Sequence, residues 1–240
     1  MNIIAIDSSG LVASVAIANE NGIVAEYTVN NKKTHSQTLL PMLNEIKEIT
    51  QTDIAEIDAV AIASGPGSFT GLRIGSATAK GIALALKVPI VEVSTLEALV
   101  ANVYATNGVV CPIMDARRNQ VYTAAYAFVK QGTKHVMEEL IAPCAVPVEE
   151  IAARLNEMGR EVVFLGDAVP VYGRWLAELM GVSYSFAPMH LARQRAGCVA
   201  CLGVEKYLAG QTVEAGEHSP EYLRLSQAER ERMESAKKEE

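Results

Sequence analysis

The segment SGPGSFTGLRIG, from Ser64 to Gly75, is the stretch whose composition most suggests ligand chemistry. It holds four glycine residues, and glycine-rich turns that lead into a helix often bind phosphate through backbone N–H groups. It is not a Walker A motif, because that motif needs a lysine after its last glycine and here Leu72 follows Gly71. A turn that permits close packing and a surface for another protein are the other two interpretations.

The other candidate catalytic or metal-binding residues lack the partners that their chemistry needs. Cys198 and Cys201 have the spacing of half a zinc site, but no second pair completes it, so buried structural cysteines are favoured. His35 lies beside Ser36, but no acidic residue orients it and no GxSxG segment is present, so a role at a helix start is favoured over hydrolysis. We therefore predict no catalytic residue and no metal site in this chain.

Composition and charge limit where the protein is expected to be located and what it is expected to bind. The chain has 240 residues, a net charge of -7 and a pI near 5.3. No apolar run approaches the roughly 20 residues of a membrane span, and the start MNIIAIDSSG lacks the basic residues of a signal peptide. Four cysteines without a disulfide pattern favour a cytoplasmic location. An acidic chain neutralises few phosphates, so we expect it to bind RNA only through a partner.

An internal duplication predicts two like domains. The segments NIIAID, LVASVAIA and IVAEYTV predict three strands separated by turns, and residues 109–141 repeat that design, with Asp7 and Asp115 in matching places. Helix and strand patterns follow each unit. We predict an N-terminal domain at residues 1–105, a C-terminal domain at 106–225 and a charged tail at 226–240. A long final helix, at about 190–210, is predicted to return to the first domain.

These two units fit the α/β actin-like ATPase architecture (ASKHA, ribonuclease H-like), which binds ATP between duplicated domains. The turn Asp7-Ser8-Ser9 has serine where typical members carry glycine, and the turn that begins at Asp115 has no glycine. A third element, a glycine pair that contacts adenosine, retains only Gly166. We therefore expect eroded phosphate contacts, with Asp7 and Asp115 capping their turns rather than binding a metal ion.

The helix after the glycine-rich segment carries a stripe of small residues. They recur every four residues, so another helix could approach its backbone closely. Packing inside this chain and contact with a partner's helix both fit the pattern. The partner hypothesis predicts that a bulky residue in place of Gly75 weakens pairing while the monomer stays folded. It assigns to the interface Leu39, Leu43, Gly71, Arg73, Gly75, Ser76, Ala79 and Ala83.

Five segments together resemble the TsaB (YeaZ) family: IIAIDSS, HSQTLLP, SGPGSFTGLRIGSATAKGIALAL, MDARRNQVYTAAY and PEYLR. The resemblance covers the chain to about Leu225. It implies the actin-like fold and a role in the synthesis of N6-threonylcarbamoyladenosine (t6A) at position 37 of tRNAs that read ANN codons. It also implies two partners, the catalytic paralogue TsaD and the small ATPase TsaE, and a separate enzyme that makes the threonylcarbamoyl-adenylate donor.

The resemblance also implies that this chain lacks the metal site of its paralogue. TsaD carries a run with two metal-binding histidines, and the matching run here begins at Thr95 and ends at Leu99, neither of which can replace an imidazole group. The four histidines show no paired spacing; they are His35, His135, His190 and His218. The implied role is a non-catalytic scaffold and activator that binds no cofactor alone, with ATP and metal on the partner subunits.

Two other function classes stay open at this point. One is an actin-fold ATPase or kinase that acts alone, and the other is a metallopeptidase, although the missing histidine pair argues against it. Because the predicted interface would also serve for self-association, a homodimer is expected when the chain is isolated from its paralogue.

Overall fold

The computed structural model describes residues 1–31 and 33–224. The predicted tail at 226–240 lies outside the described residues. Among the helices that the structure does describe, none is long and apolar enough to cross a membrane.

The first half of the chain forms a mixed five-stranded sheet in the order β3-β2-β1-β4-β5. Strands β1, β2 and β3 are antiparallel, whereas β4 and β5 run parallel to β1. Three helices and a short 3-10 helix at Ile54–Glu56 accompany this sheet. The bounds are β1 Asn2–Asp7, β2 Ala13–Asn19, β3 Gly22–Val29, α1 His35–Thr50, β4 Ala59–Gly65, α2 Phe69–Leu86, β5 Ile90–Ser94 and α3 Thr95–Ala101.

The second half repeats this arrangement in a sheet of order β10-β9-β6-β7-β8. Here β6, β7 and β8 are antiparallel, and β9 and β10 continue the sheet in parallel. The bounds are β6 Val109–Asp115, β7 Gln120–Gln131, β8 Lys134–Pro147, α4 Val148–Met158, β9 Val162–Leu165, α5 Val169–Leu179, β10 Tyr184–Phe186 and α6 Ala196–Leu208. The predicted α/β actin-like, ribonuclease H-like fold with a duplicated unit is confirmed.

The first sheet is covered on both faces. Helices α1 and α2 bury one face in a cluster of branched apolar residues that includes Ile6, Leu39 and Ile62. Helix α6 covers the other face, where Val199 and Ala200 pack on strand residues that are mostly alanine. The small side chains let this helix come close, because a Cβ atom added to Gly203 would lie 2.7 Å from Cβ of Ala61. The last described helix therefore belongs to the packing of the first sheet.

The start of helix α6 differs from the sequence prediction. Helix α6 begins at Ala196 and not near His190, because its first N–H groups are taken by side chains of distant strands. Ala196 donates to Oγ of Ser14 at 2.9 Å and Gly197 to Oε1 of Glu26 at 3.1 Å. Helix α1 begins at His35 with Thr34 as its N-cap residue, but the Thr34 side chain forms no cap hydrogen bond and lies 3.2 Å from Oγ of Ser36.

Candidate functional site

A cleft of about 540 Å³ lies between the two halves, where the carboxyl ends of β1 and β6 meet. The duplicated aspartates Asp7 and Asp115 end these two strands. The cleft is lined by both turns that follow the strands, by the start of α2 and by two residues near the end of the described chain, Tyr222 and Arg224. This is the place where an actin-like fold would hold a ligand, so its residues decide what chemistry is available.

Asp7 caps its own turn from a buried position. Its Oδ1 accepts hydrogen bonds from the backbone N–H of Ser9 at 2.9 Å and from Oγ of Ser9 at 2.6 Å, while Oδ2 is buried without a hydrogen-bond partner. Burial raises the pKa of Asp7 to about 6, although the bonds from Ser9 and the nearby His35 lower it. A carboxylate in this setting stabilises a turn and is costly to keep charged.

Asp115 has the same local role at the second turn, but nearer to solvent. Its Oδ1 accepts from the backbone N–H of Arg117 at 2.8 Å, and Oδ2 pairs with the Arg117 guanidinium at 3.2 Å. The backbone N–H of Asp115 donates to Oδ1 of Asp167 at 3.1 Å, so a third carboxylate stands at the base of the cleft. Burial raises the pKa of Asp167.

The glycine-rich segment packs on the first turn instead of enclosing a free anion site. The carbonyl of Ser9 accepts from the N–H of Ser68 at 2.6 Å, and Oγ of Ser8 donates to the carbonyl of Gly71 at 2.8 Å. A Cβ atom on Gly67 or Gly71 would overlap the carbonyl oxygen of Ser9 or Ser8. The glycines therefore permit close packing between α2 and the β1–β2 turn, which is one of the three interpretations of the sequence.

This packing occupies backbone N–H groups that a nucleotide phosphate would need. A phosphate-binding turn needs several backbone N–H groups directed at the anion. Here the N–H of Ser9 is bonded to Asp7, the N–H of Ser68 to Ser9 and the N–H of Gly71 to Ser68 Oγ. Three N–H groups that could face a phosphate are therefore already bonded within the chain.

The small-residue stripe on α2 lies inside the chain. Gly71, Gly75, Ser76, Ala79 and Ala83 are buried, as are Leu39 and Leu43 of α1. A Cβ atom on Gly75 would overlap Oγ of Ser8, so a bulky residue there would disturb the monomer itself. The expectation that such a variant leaves the monomer folded stays a prediction, and the packing of Gly75 on Ser8 argues against it. Of the eight residues assigned to the interface from the sequence, Arg73 is the one that is exposed.

The outer face of α2 carries a second line of small residues that the sequence reading overlooked. Ala77, Gly81 and Ala85 are exposed and recur every four residues, with Arg73 and Leu84 beside them. Leu84 is 65% exposed. We call these five residues, together with the exposed Leu40 of α1, the outer α1–α2 surface. An apolar groove of about 290 Å³ adjoins it, lined by Leu40 and by Ile54, Ile57 and Ile82.

The residues considered for metal binding or hydrolysis are dispersed. Cys198 is largely buried, donates from Sγ to Oδ1 of Asn102 at 3.1 Å, and has its pKa raised by burial to about 12, so its thiol is inert. The Nε2 atom of His35 lies 2.9 Å from the carbonyl of Gly10. Across residues 1–31 and 33–224, no group of three or more His, Cys, Asp or Glu side chains could hold a metal ion.

Sequence reasoning missed the contribution of Tyr222 and Arg224 to the cleft. The segment PEYLR contains both, and its composition gives no indication that it lies between the two sheets. The only available signal was an aromatic and a basic residue in an otherwise polar C-terminal region.

Comparisons with known proteins give matches that cover most of the chain. The family described as "TsaD: tRNA N6-adenosine threonylcarbamoyltransferase" matches residues 12–232. The tRNA threonylcarbamoyladenosine biosynthesis protein TsaB of Bacillus subtilis (strain 168) is 33% identical over 237 residues, 99% of this chain and 100% of that protein. TsaB of Escherichia coli (strain K12) is 31% identical over 229 residues, 93% and 95% of the two chains. The solved structure of YeaZ from Pseudomonas aeruginosa has a TM-score of 0.76 at 26% identity, covering 92% of this chain and 99% of that one.

Proposed function

Because the chain belongs to the TsaB (YeaZ) family of the t6A biosynthesis pathway, a family homologous to TsaD, we propose that it is a non-catalytic subunit of the complex that makes t6A. In this proposal it is the scaffold and activator for threonylcarbamoylation of adenosine 37 in tRNAs that read ANN codons. It acts by binding TsaD and, with TsaD, the ATPase TsaE. It contacts tRNA only through the assembled complex, as its acidic charge suggests.

The observation that supports a non-catalytic role best is the packing of the glycine-rich segment on the first turn. Gly67 and Gly71 occupy the space in front of the Ser9 and Ser8 carbonyl groups, and the N–H groups of Ser9 and Ser68 are bonded within the chain. The chain in this proposal binds no nucleotide or metal ion by itself. ATP and the metal ion are held by the partner subunits.

The outer α1–α2 surface is the proposed contact for TsaD. Its small residues Ala77, Gly81 and Ala85 would let a partner helix approach closely, and Leu84 and Leu40 offer apolar side chains that are 65% and 56% exposed. Without TsaD, the same surface would form the contact of a homodimer, since a two-fold interface needs one self-complementary patch.

A substitution at the centre of this surface tests the proposal. Leu84→Asp places a charge where a partner helix would be desolvated, and we expect it to weaken binding to purified TsaD by roughly tenfold or more. Leu208→Asp is the matched control, because Leu208 is also an exposed helical leucine, 68% exposed, at the end of α6. Isothermal titration with TsaD gives the affinity, and analytical ultracentrifugation gives the homodimer constant. Equal affinities for the two variants would place the TsaD contact elsewhere.

A further inference from the structure

The last described residues, 213–224, form a strap that runs along the first half and ends on the second. The strap starts at the free edge of the first sheet, where Val213 and Ile90 exchange two backbone hydrogen bonds of 2.9 Å each. It continues past His218, which is 1% exposed and has Nδ1 2.5 Å from Oε1 of Glu92 on β5. These contacts fix the beginning of the strap firmly on the first sheet.

The strap then crosses the start of α2. The N–H of Glu221 donates to the carbonyl of Ser64 at 2.8 Å, and the Glu221 carbonyl occupies the space that a Cβ atom on Gly65 would need. The ring of Tyr222 lies on that of Phe69, with the centroids 4.8 Å apart. The glycine-rich segment therefore accommodates the strap on one side and the β1–β2 turn on the other.

The end of the strap reaches the second half through Arg224. Its Nη1 donates to the carbonyl of Ala116 at 2.6 Å, at the base of the β6–β7 turn. That turn is strained, since Arg117, Arg118 and Asn119 are three successive non-glycine residues with positive φ, at 65°, 54° and 58°. Such conformations persist where surrounding contacts hold them. Arg224 supplies one of these contacts from the opposite side of the cleft.

We infer that the strap is a latch that holds the cleft in its closed arrangement, with Arg224 as the hook. The chain itself crosses between the two sheets after α3 and again before α6. Helix α3 also packs on the second sheet, where Leu96 and Leu99 share a buried cluster with Tyr126. The strap adds a connection at the mouth of the cleft, where Tyr222 and Arg224 form part of the lining. The strap is attached differently to the two halves. Backbone hydrogen bonds and the buried His218 hold it to the first half, whereas the Arg224 side chain contacts the second half. Release of Arg224 is therefore expected to loosen the end of the strap and the β6–β7 turn at the mouth of the cleft, without unfolding either sheet. This inference concerns the chain alone and does not depend on the proposed function.

Hydrogen exchange on the full-length chain tests the latch. Arg224→Ala is expected to raise the exchange rate about tenfold in peptides that cover residues 113–121 and 66–71, the effect of losing one charge-assisted hydrogen bond from the closed state. Peptides of α4, Val148–Met158, are expected to exchange as in the wild type. Arg160→Ala is the matched control, since Nη2 of Arg160 also donates to a backbone carbonyl, that of Gly108 at 3.1 Å. The control is expected to leave the cleft peptides unchanged.

Two results would overturn the inference. One is unchanged exchange at the cleft in Arg224→Ala, and the other is an equal increase in every peptide, which would mean that the whole fold is destabilised. If Arg224→Ala does not fold, hydrogen exchange is measured on Arg224→Lys instead, because this variant keeps the charge and loses the guanidinium geometry. It is expected to exchange faster than the wild type at the β6–β7 turn, and wild-type rates there would contradict the latch.

Discussion

The hydroxyl group of Tyr222 accepts a hydrogen bond from Nε of Arg73 at 3.3 Å, which joins the strap to the exposed face of α2. The Arg73 guanidinium also lies 4.0 Å from the ring centroid of Phe69, so two contacts restrict this long side chain. Arg73 is part of the outer α1–α2 surface. A restrained arginine loses less conformational freedom when it pairs with a partner's carboxylate, which favours binding.

Removal of the Tyr222 hydroxyl group should weaken the partner contact without unfolding the chain. We expect Tyr222→Phe to lower the affinity for TsaD by about threefold to tenfold, since it removes one hydrogen bond and keeps the aromatic packing. Tyr104→Phe is the control, because the Tyr104 hydroxyl group accepts a bond of 2.8 Å from the His135 N–H on the second half. Titration calorimetry gives both affinities. An affinity for Tyr222→Phe equal to that of the control would show that Arg73 needs no support from the strap.

Two glycines of α2 should respond to alanine with opposite signs. Gly81 has open space around an added Cβ atom, so Gly81→Ala is expected to stabilise the isolated chain by about 1 kcal/mol through helix propensity. At Gly75 the same Cβ atom meets Oγ of Ser8, and we expect Gly75→Ala to destabilise the chain by about 1–3 kcal/mol. Urea unfolding at one fixed protein concentration measures both changes. Equal effects at the two positions would contradict the internal packing of the stripe.

Asp7 should make the stability of the chain depend on pH. Its pKa is raised to about 6 in the folded protein, against an ordinary value of 3.8, so the folded state binds the proton more tightly than the unfolded chain. The contribution of Asp7 to the free energy of unfolding therefore increases as the pH falls from 7 toward 4. Asp7→Asn removes this dependence and retains an oxygen that can accept from Ser9.

The difference in stability between Asp7→Asn and the wild type isolates this effect. As the pH rises from 4 to 8, we expect the wild type to lose roughly 3 kcal/mol of unfolding free energy relative to Asp7→Asn. This is the value that two pKa units imply. Asp53→Asn is the control for loss of an exposed carboxylate, one that accepts from the Ala55 N–H at 3.0 Å. Urea titrations at four pH values give the differences. If the stability difference between Asp7→Asn and the wild type does not vary with pH, the conclusion that burial raises the pKa of Asp7 is wrong.

The isolated chain should not be stabilised by nucleotide. Because the N–H groups of Ser9 and Ser68 are bonded within the chain, we expect MgATP at about 1 mM to shift the melting temperature by less than about 1 °C, which corresponds to a Kd in the millimolar range or weaker. Differential scanning fluorimetry with purified TsaE as the positive control checks this. A shift of several degrees for the chain alone would indicate a competent nucleotide site.

The sequence specified the fold better than the contacts between its elements. Alternating apolar segments and turns define β1 to β3 and β6 to β8, so the duplication could be predicted from local pattern. A line of small residues has the same appearance whether it faces the chain's own turn or another protein. Ser8 lies far from Gly75 in sequence, so nothing local shows that the two meet.

Long-range side chains also set features that local patterns misplace. The start of α6 depends on Ser14 and Glu26, which belong to β2 and β3. The local pattern of residues 190–195, without these contacts, predicts helix. The strap depends on Glu92, Phe69 and Ala116, each distant in sequence from its partner. In each case the missing information is a tertiary contact that overrides local propensity.

We propose that this chain has no chemistry of its own and enables t6A synthesis by binding its partner subunits. The most direct measurement is the amount of t6A formed at position 37 of a tRNA by purified TsaD, TsaE, ATP and the threonylcarbamoyl-adenylate donor, with this chain present or omitted. We predict t6A with the chain present, none when it is omitted, none from the chain without TsaD, and a reduced yield with Leu84→Asp. Formation of t6A by the chain without TsaD, or full modification by TsaD and TsaE without the chain, would contradict the account.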